Sequence, residues 1–142
     1  MTIPNLNTIK KYILAQYIWL LLAVLYNLVS LYRIAHDNAP LYKSNPLLSL
    51  VLLSPFFLTV ILGQSGKFRT YFYLTSILTL ALFIRGVMPH FLVLLYPERI
   101  TNYDSFSSWV IALKINIYGV FIFAMASLKA SPFVNNIDQV DL

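Results

Sequence analysis

Four long apolar stretches fill most of this 142-residue chain, and none of them contains an Asp or Glu. They run roughly over residues 12–32, 46–62, 70–96 and 107–128. A helix needs about 20 apolar residues to cross a hydrocarbon core of about 30 Å, with a working range of about 17–25. All four stretches meet that requirement. The pattern predicts an all-α, polytopic membrane protein: one integral membrane domain over residues 1–142, with four transmembrane helices in an up-down bundle.

Composition closes off the soluble alternative. Hydrophobic residues make up 59% of the chain and charged residues 11%, against about 25% charged in an ordinary soluble domain. A chain this short buries too little of its surface to hide so much apolar material, so the surplus is expected to face lipid. The first stretch is longer than a signal-peptide core and has no small-x-small site after it, so it reads as a retained span. The chain has no cysteine, which removes disulfides, thiolate metal sites and thiol catalysis.

The formal charge is +5. Nucleic-acid binding would need a clustered basic face, and the sequence has none, so the charge reads as topogenic and as suited to anionic lipid. Four spans put both termini on one side. Lys10, Lys11, Lys67, Arg69 and Lys129 fall on that side, and Arg33, Lys43 and Arg99 on the other. This bias favours both termini in the cytoplasm or its equivalent. Tyr12, Tyr32, Tyr71, Tyr73, Tyr96 and Trp109 stand near span ends, where amphipathic rings suit the membrane interface.

Two prolines interrupt the spans. Pro55 sits in the middle of the shortest one and predicts a kink. Pro89 lies in the third span, four residues after Arg85. The third helix therefore reads as long and kinked at Pro89. A shorter reading ends it near Ile84 and leaves Val87–Tyr96 at the interface.

Arg85 is the residue most out of place. About ten residues from the end of a long third helix, it would lie roughly 15 Å deep at 1.5 Å per residue. A charge there costs a few kcal/mol and usually faces a bundle interior or a wet cavity. Lys114, early in the fourth span, shares the leaflet and reads mainly as a snorkelling cation. Two cations with no acid in any span call for an anion, and a lipid phosphate is the simplest. His90 completes the anion- or partner-binding set. Alone it could also serve as a haem ligand or proton relay, but two histidines without acids make no metal site.

Gln16, Asn27, Thr79, Gly86 and Asn116 lie on polar or small-residue faces and are expected to pack helices together. By α-helical count Arg85 points about 100° away from Gly86, and Lys114 lies nearly opposite Asn116. The cations are thus not expected to join those faces. No catalytic signature is present: neither HExxH, GxSxG nor a phosphate-cradling Gly-rich loop. The sequence reads as a non-enzymatic accessory or assembly subunit, or an anionic-lipid-binding component, without cofactor or metal. Its expected partners are the bilayer, anionic lipids, and a protein partner or second copies of itself. Two alternatives are an oligomeric transporter or channel for an anionic or amphiphilic solute, and an integral membrane enzyme acting on a lipid.

Overall fold

The computed structural model describes residues 6–132; the acidic tail residues Asp138 and Asp141 lie outside them. Helix α1 spans Leu6–Ala35, α2 Pro46–Leu52, α3 Ser54–Gln64, α4 Phe68–Leu82, α5 Met88–Leu95 and α6 Phe106–Ala130. Helices α2 and α3 together form the second span, and α4 and α5 the third. The resulting helices, Asn7–Ala35, Pro46–Gln64, Phe68–Leu95 and Phe106–Ala130, are each long and apolar enough to cross a membrane.

The first helix starts earlier than the apolar stretch because lysine is a good helix former and Lys10-Lys11 do not stop it. Ile9 and Ile13, on either side of the lysines, are buried. The third helix runs through to Leu95, so the reading that ends it near Ile84 does not hold.

Both internal prolines leave a visible mark. Pro55 cannot donate to the carbonyl four residues back, which belongs to Val51. The helix breaks at Leu53, and the Ser54 hydroxyl donates to the Val51 carbonyl at 2.7 Å in place of the missing amide. Ahead of Pro89 the chain adopts a π turn over Phe83–Val87, in which the Met88 amide reaches the Phe83 carbonyl five residues back. Such bulges accommodate an extra residue within a helix.

Helix ends are closed by local chemistry. Asn45 caps α2, its side chain accepting from the Leu47 and Leu48 amides at 3.0 and 3.2 Å with Pro46 following. The Ser105 hydroxyl accepts from the Ser108 amide at the start of α6. Helix α3 ends in a Schellman motif whose left-handed position is Gly66, at φ 76°. There the Lys67 amide donates to the Leu62 carbonyl and the Gly66 amide to the Gly63 carbonyl. Helix α1 ends the same way, with Asp37 left-handed at φ 57°.

The two connections at one end of the molecule are tied together. Tyr42 and Tyr103 form an antiparallel bridge. The Lys43 amide donates to the Asn102 carbonyl at 2.8 Å, and the Asp104 amide to the Leu41 carbonyl at 3.2 Å. Arg33 reaches Asp104 at 2.6 Å. Both side chains are partly solvated, so the pair adds little stability beyond fixing the loops.

Packing centres on α6, which lies against α1 and α4. Trp19 of α1 is 1% exposed. Its ring meets Phe56 and Phe123 at centroid distances of 5.1 and 5.2 Å, and its indole N–H donates to the Ile115 carbonyl at 3.0 Å. Gly119 makes room for it: a Cβ there would stand 2.3 Å from the indole nitrogen.

The polar residues expected to join helices behave in two ways. Gln16 does so, accepting from the buried Tyr71 hydroxyl at 2.8 Å. Gly86 also does so, by letting Asn116 approach: a Cβ on Gly86 would lie 2.5 Å from the Asn116 side-chain oxygen. Asn27, Thr79 and Asn116 instead direct their hydrogen bonds to carbonyls of their own helices, those of Ala23, Thr75 and Ala112. A residue four places back offers a carbonyl without any helix–helix fit, so this is the easier local solution. Tyr71 and Trp109, expected at the interface, are buried. Each finds a polar partner inside, Gln16 for Tyr71 and the His90 carbonyl for Trp109, so neither depends on interfacial water.

Candidate functional site

A cavity of about 440 Å³ occupies the half of the molecule nearest the tied connections. Volumes of roughly 300–1,000 Å³ are typical of small-molecule sites. Its walls come from all four spans. Helix α1 contributes Trp19 and Asn27, the second span Ser49, Leu52 and Phe56, the third Leu82, Arg85, Gly86 and His90, and α6 Ile115 and Asn116. Tyr42 closes the loop end.

The third span builds the polar corner, and the π turn is the reason. In a straight α-helix, Arg85 and His90 would point about 140° apart. The extra residue accommodated by the Phe83–Val87 π turn offsets that separation, so Arg85, within the turn, and His90, just beyond it, come round toward the same side. Arg85, Gly86 and His90 therefore line one cavity with Asn116, against the expectation that Arg85 stays apart from the small-residue face. Arg85 is exposed and forms no ion pair among the described residues. Among the described residues it is the one charged side chain on the cavity wall, and no carboxylate lines it.

Lys114 does not belong to this site. It is exposed on α6, on the side away from Asn116, and does not line the cavity. Arg85 and Lys114, expected to share one anion, thus do not line the same cavity. Asp104, in the connection before α6, is paired with Arg33.

His90 is held from several directions. Its Nδ1 is hydrogen-bonded to the Tyr103 hydroxyl. Its backbone carbonyl accepts from the Trp109 indole at 2.8 Å. Tyr42 meets the imidazole edge-on at 5.4 Å and stacks on Tyr103 at 4.8 Å. Tyr103 itself sits in the connection before α6, and burial, together with the nearby Tyr42 and Tyr26 hydroxyls, raises its pKa above the ordinary tyrosine value. It therefore stays protonated at physiological pH. Tyr42 and Tyr103 carry no motif in the sequence. The signal that could have found them is the pair of aromatic residues in two connections that an even number of spans brings to the same end.

Among the described residues, no three His, Asp or Glu side chains come together in a way that could hold a metal ion. The cavity can offer a guanidinium, an imidazole, amides and hydroxyls against mainly apolar walls. A second cavity, of about 370 Å³, lies at the opposite end between Lys10, Tyr17 and Gln64. Two of its lining residues already meet, the Tyr17 hydroxyl donating to the Gln64 side-chain oxygen at 3.0 Å. Comparison of the chain with protein-family models, curated proteins and solved structures finds no match in any of the three.

Proposed function

We propose that the protein is a non-enzymatic membrane component that binds one anionic amphiphile, with the headgroup on Arg85 and the tail along the apolar cavity wall. The observation that carries this reading is the charge pattern of the cavity: one guanidinium, no carboxylate, and mostly apolar surroundings. In a span that crosses a bilayer, Arg85 stands about ten residues, or roughly 15 Å, from the Leu95 end. A cation at that depth is retained at a cost of a few kcal/mol and is expected to meet a counter-charge. No other described residue on the wall supplies one, and in this reading the guest does. A guanidinium also matches phosphate and carboxylate geometry with two parallel hydrogen bonds.

In this reading the four spans alternate in direction, the third bends at Pro89, and both termini face the cytoplasm. The cavity then lies in the outer leaflet. Binding rather than conversion fits the wall chemistry, because no thiol or carboxylate stands beside His90 to complete an acid–base couple. Lys114, outside the cavity, is left for lipid headgroups or for a second protein, including another copy of this chain.

The test is extraction of the full chain into native nanodiscs, followed by mass spectrometry of the lipids that accompany it. The wild-type protein should retain one anionic amphiphile class well above its share of the bulk membrane. Arg85→Gln should reduce that enrichment about tenfold or more, since a charge-assisted hydrogen bond contributes about 1.5–3 kcal/mol. Identical lipid profiles for the two proteins would overturn the proposal.

A further inference from the structure

The hydrogen bond between His90 Nδ1 and the Tyr103 hydroxyl bears on which ring nitrogen carries the proton. The Tyr103 hydroxyl has its hydrogen-bond partner in His90 Nδ1, and the tyrosine is 7% exposed. A buried hydroxyl that keeps its proton must place it on an acceptor. The acceptor beside it is Nδ1. A neutral imidazole that accepts at Nδ1 carries its hydrogen at Nε2. No carboxylate lines the cavity to draw a second proton onto the ring. The remaining nitrogen, Nε2, has no partner among the described residues, and His90 faces the cavity. The opposite tautomer would turn the Tyr103 proton away from His90 toward the neighbouring Tyr42 and Tyr26 hydroxyls and leave the cavity with a bare lone pair.

We propose that His90 is a second hydrogen-bond donor to the guest, held as the Nε2–H tautomer by Tyr103, and that this makes the site selective for a phosphate over a carboxylate. The inference rests on the anionic-amphiphile reading of the same cavity. Its selectivity follows from geometry. A guanidinium takes both oxygens of a carboxylate in its fork. A tetrahedral phosphate gives the fork two oxygens and still presents another, turned out of that plane, to a donor on the next turn of helix. Arg85 and His90 stand five residues apart across the π turn and face one space. Tyr103 touches the guest only through His90 and is a positioning residue. The connections that hold Tyr103 against Tyr42 are therefore part of the recognition apparatus.

The experiment uses the full chain in nanodiscs of a zwitterionic lipid, with dodecyl phosphate, dodecanoate and inorganic phosphate as probes. Nitrogen-15 labelling of the two histidines gives the direct readout, with His36 as an internal reference. His90 should show a pyridine-type Nδ1 and a pyrrole-type Nε2, and the Nε2 signal should move when dodecyl phosphate is added. Dodecyl phosphate should bind more tightly than dodecanoate and than inorganic phosphate, which lacks the tail. His90→Leu should weaken dodecyl phosphate about tenfold, in line with one hydrogen bond to a charged group, and leave dodecanoate nearly unchanged. His90→Gln, whose amide N–H can stand where Nε2–H stood, should recover most of that loss. Tyr103→Phe should mix the two tautomers, a change that a purely structural role would not produce.

A pyrrole-type Nδ1 in the wild type would overturn the inference, as would His90→Leu binding dodecyl phosphate like the wild type. If Arg85→Gln still abolishes binding in either case, the amphiphile reading stands and the histidine role falls. If Arg85→Gln is also without effect, or if inorganic phosphate binds as well as dodecyl phosphate, it is the amphiphile reading itself that fails.

Discussion

If Arg85 holds an anionic amphiphile as proposed, Arg85→Leu is expected to give a protein that is harder to unfold and no longer holds that guest. At the centre of a membrane helix, arginine costs about 2.5–3.5 kcal/mol on insertion scales, whereas leucine is favourable by a few tenths of a kcal/mol. Arg85 lines an open cavity and has no ion pair among the described residues to offset that cost. Removing it from the guest-free protein should therefore stabilise the third span by about 2–3 kcal/mol, discounted from the full insertion value because Arg85 is exposed rather than fully buried. Stability is read from unfolding in mixed micelles of increasing denaturing detergent. The same variant should lose the anionic lipid that the wild type retains. The two effects have opposite signs, which separates a binding residue from a packing residue: loss of a packing residue lowers stability and binding together. A less stable Arg85→Leu protein would mean that the guanidinium is making a structural contact.

Trp19→Ala is expected to have the largest effect on stability. In soluble cores, truncating a buried aromatic residue costs about 3–5 kcal/mol. Lipid tails are as apolar as a core, so the transfer part of that figure is small between membrane helices and contact loss dominates. The expected cost is about 3 kcal/mol, near the bottom of the soluble range. Three contacts concentrate it: the rings of Phe56 and Phe123 and the hydrogen bond to the Ile115 carbonyl. Trp19 also borders the cavity, so the variant should enlarge the site and loosen its grip on the tail. The same micelle titration measures it. A loss below about 1 kcal/mol would mean that the surrounding helices close over the gap.

The four apolar helices were legible because their signal is length without acid, and that signal needs no partner. Arg85 and His90 were legible for a related reason: each is conspicuous in a span where few polar side chains occur. What joins them was not. A straight α-helical wheel separates Arg85 from His90, and the π turn of Phe83–Val87 brings them to one cavity. Pro89 announces a disturbance of the ladder, but not whether the helix bends, breaks or adds a residue. At Pro55 the same residue type produced a break at Leu53, with Ser54 supplying the missing hydrogen bond. The exclusion of Lys114 was half visible, since its angle to Asn116 follows from regular α-helix. Tyr71, Tyr103 and Trp109 were misread or passed over because a tyrosine or tryptophan near a span end looks interfacial in sequence. Only the fold shows that each has a polar partner inside.

Helix α2 packs on α1 and α3 and makes no comparable contact with the third span, although Leu52 and Arg85 border the same cavity. Under the anionic-amphiphile proposal, this weak seam is where a guest would enter, from within the leaflet and without crossing water. Occupancy then depends on how many guest molecules there are per lipid, and not on how many there are per litre. Adding empty vesicles that exchange lipid with the loaded membrane should strip the guest from the protein, while diluting the same sample with buffer should leave it bound.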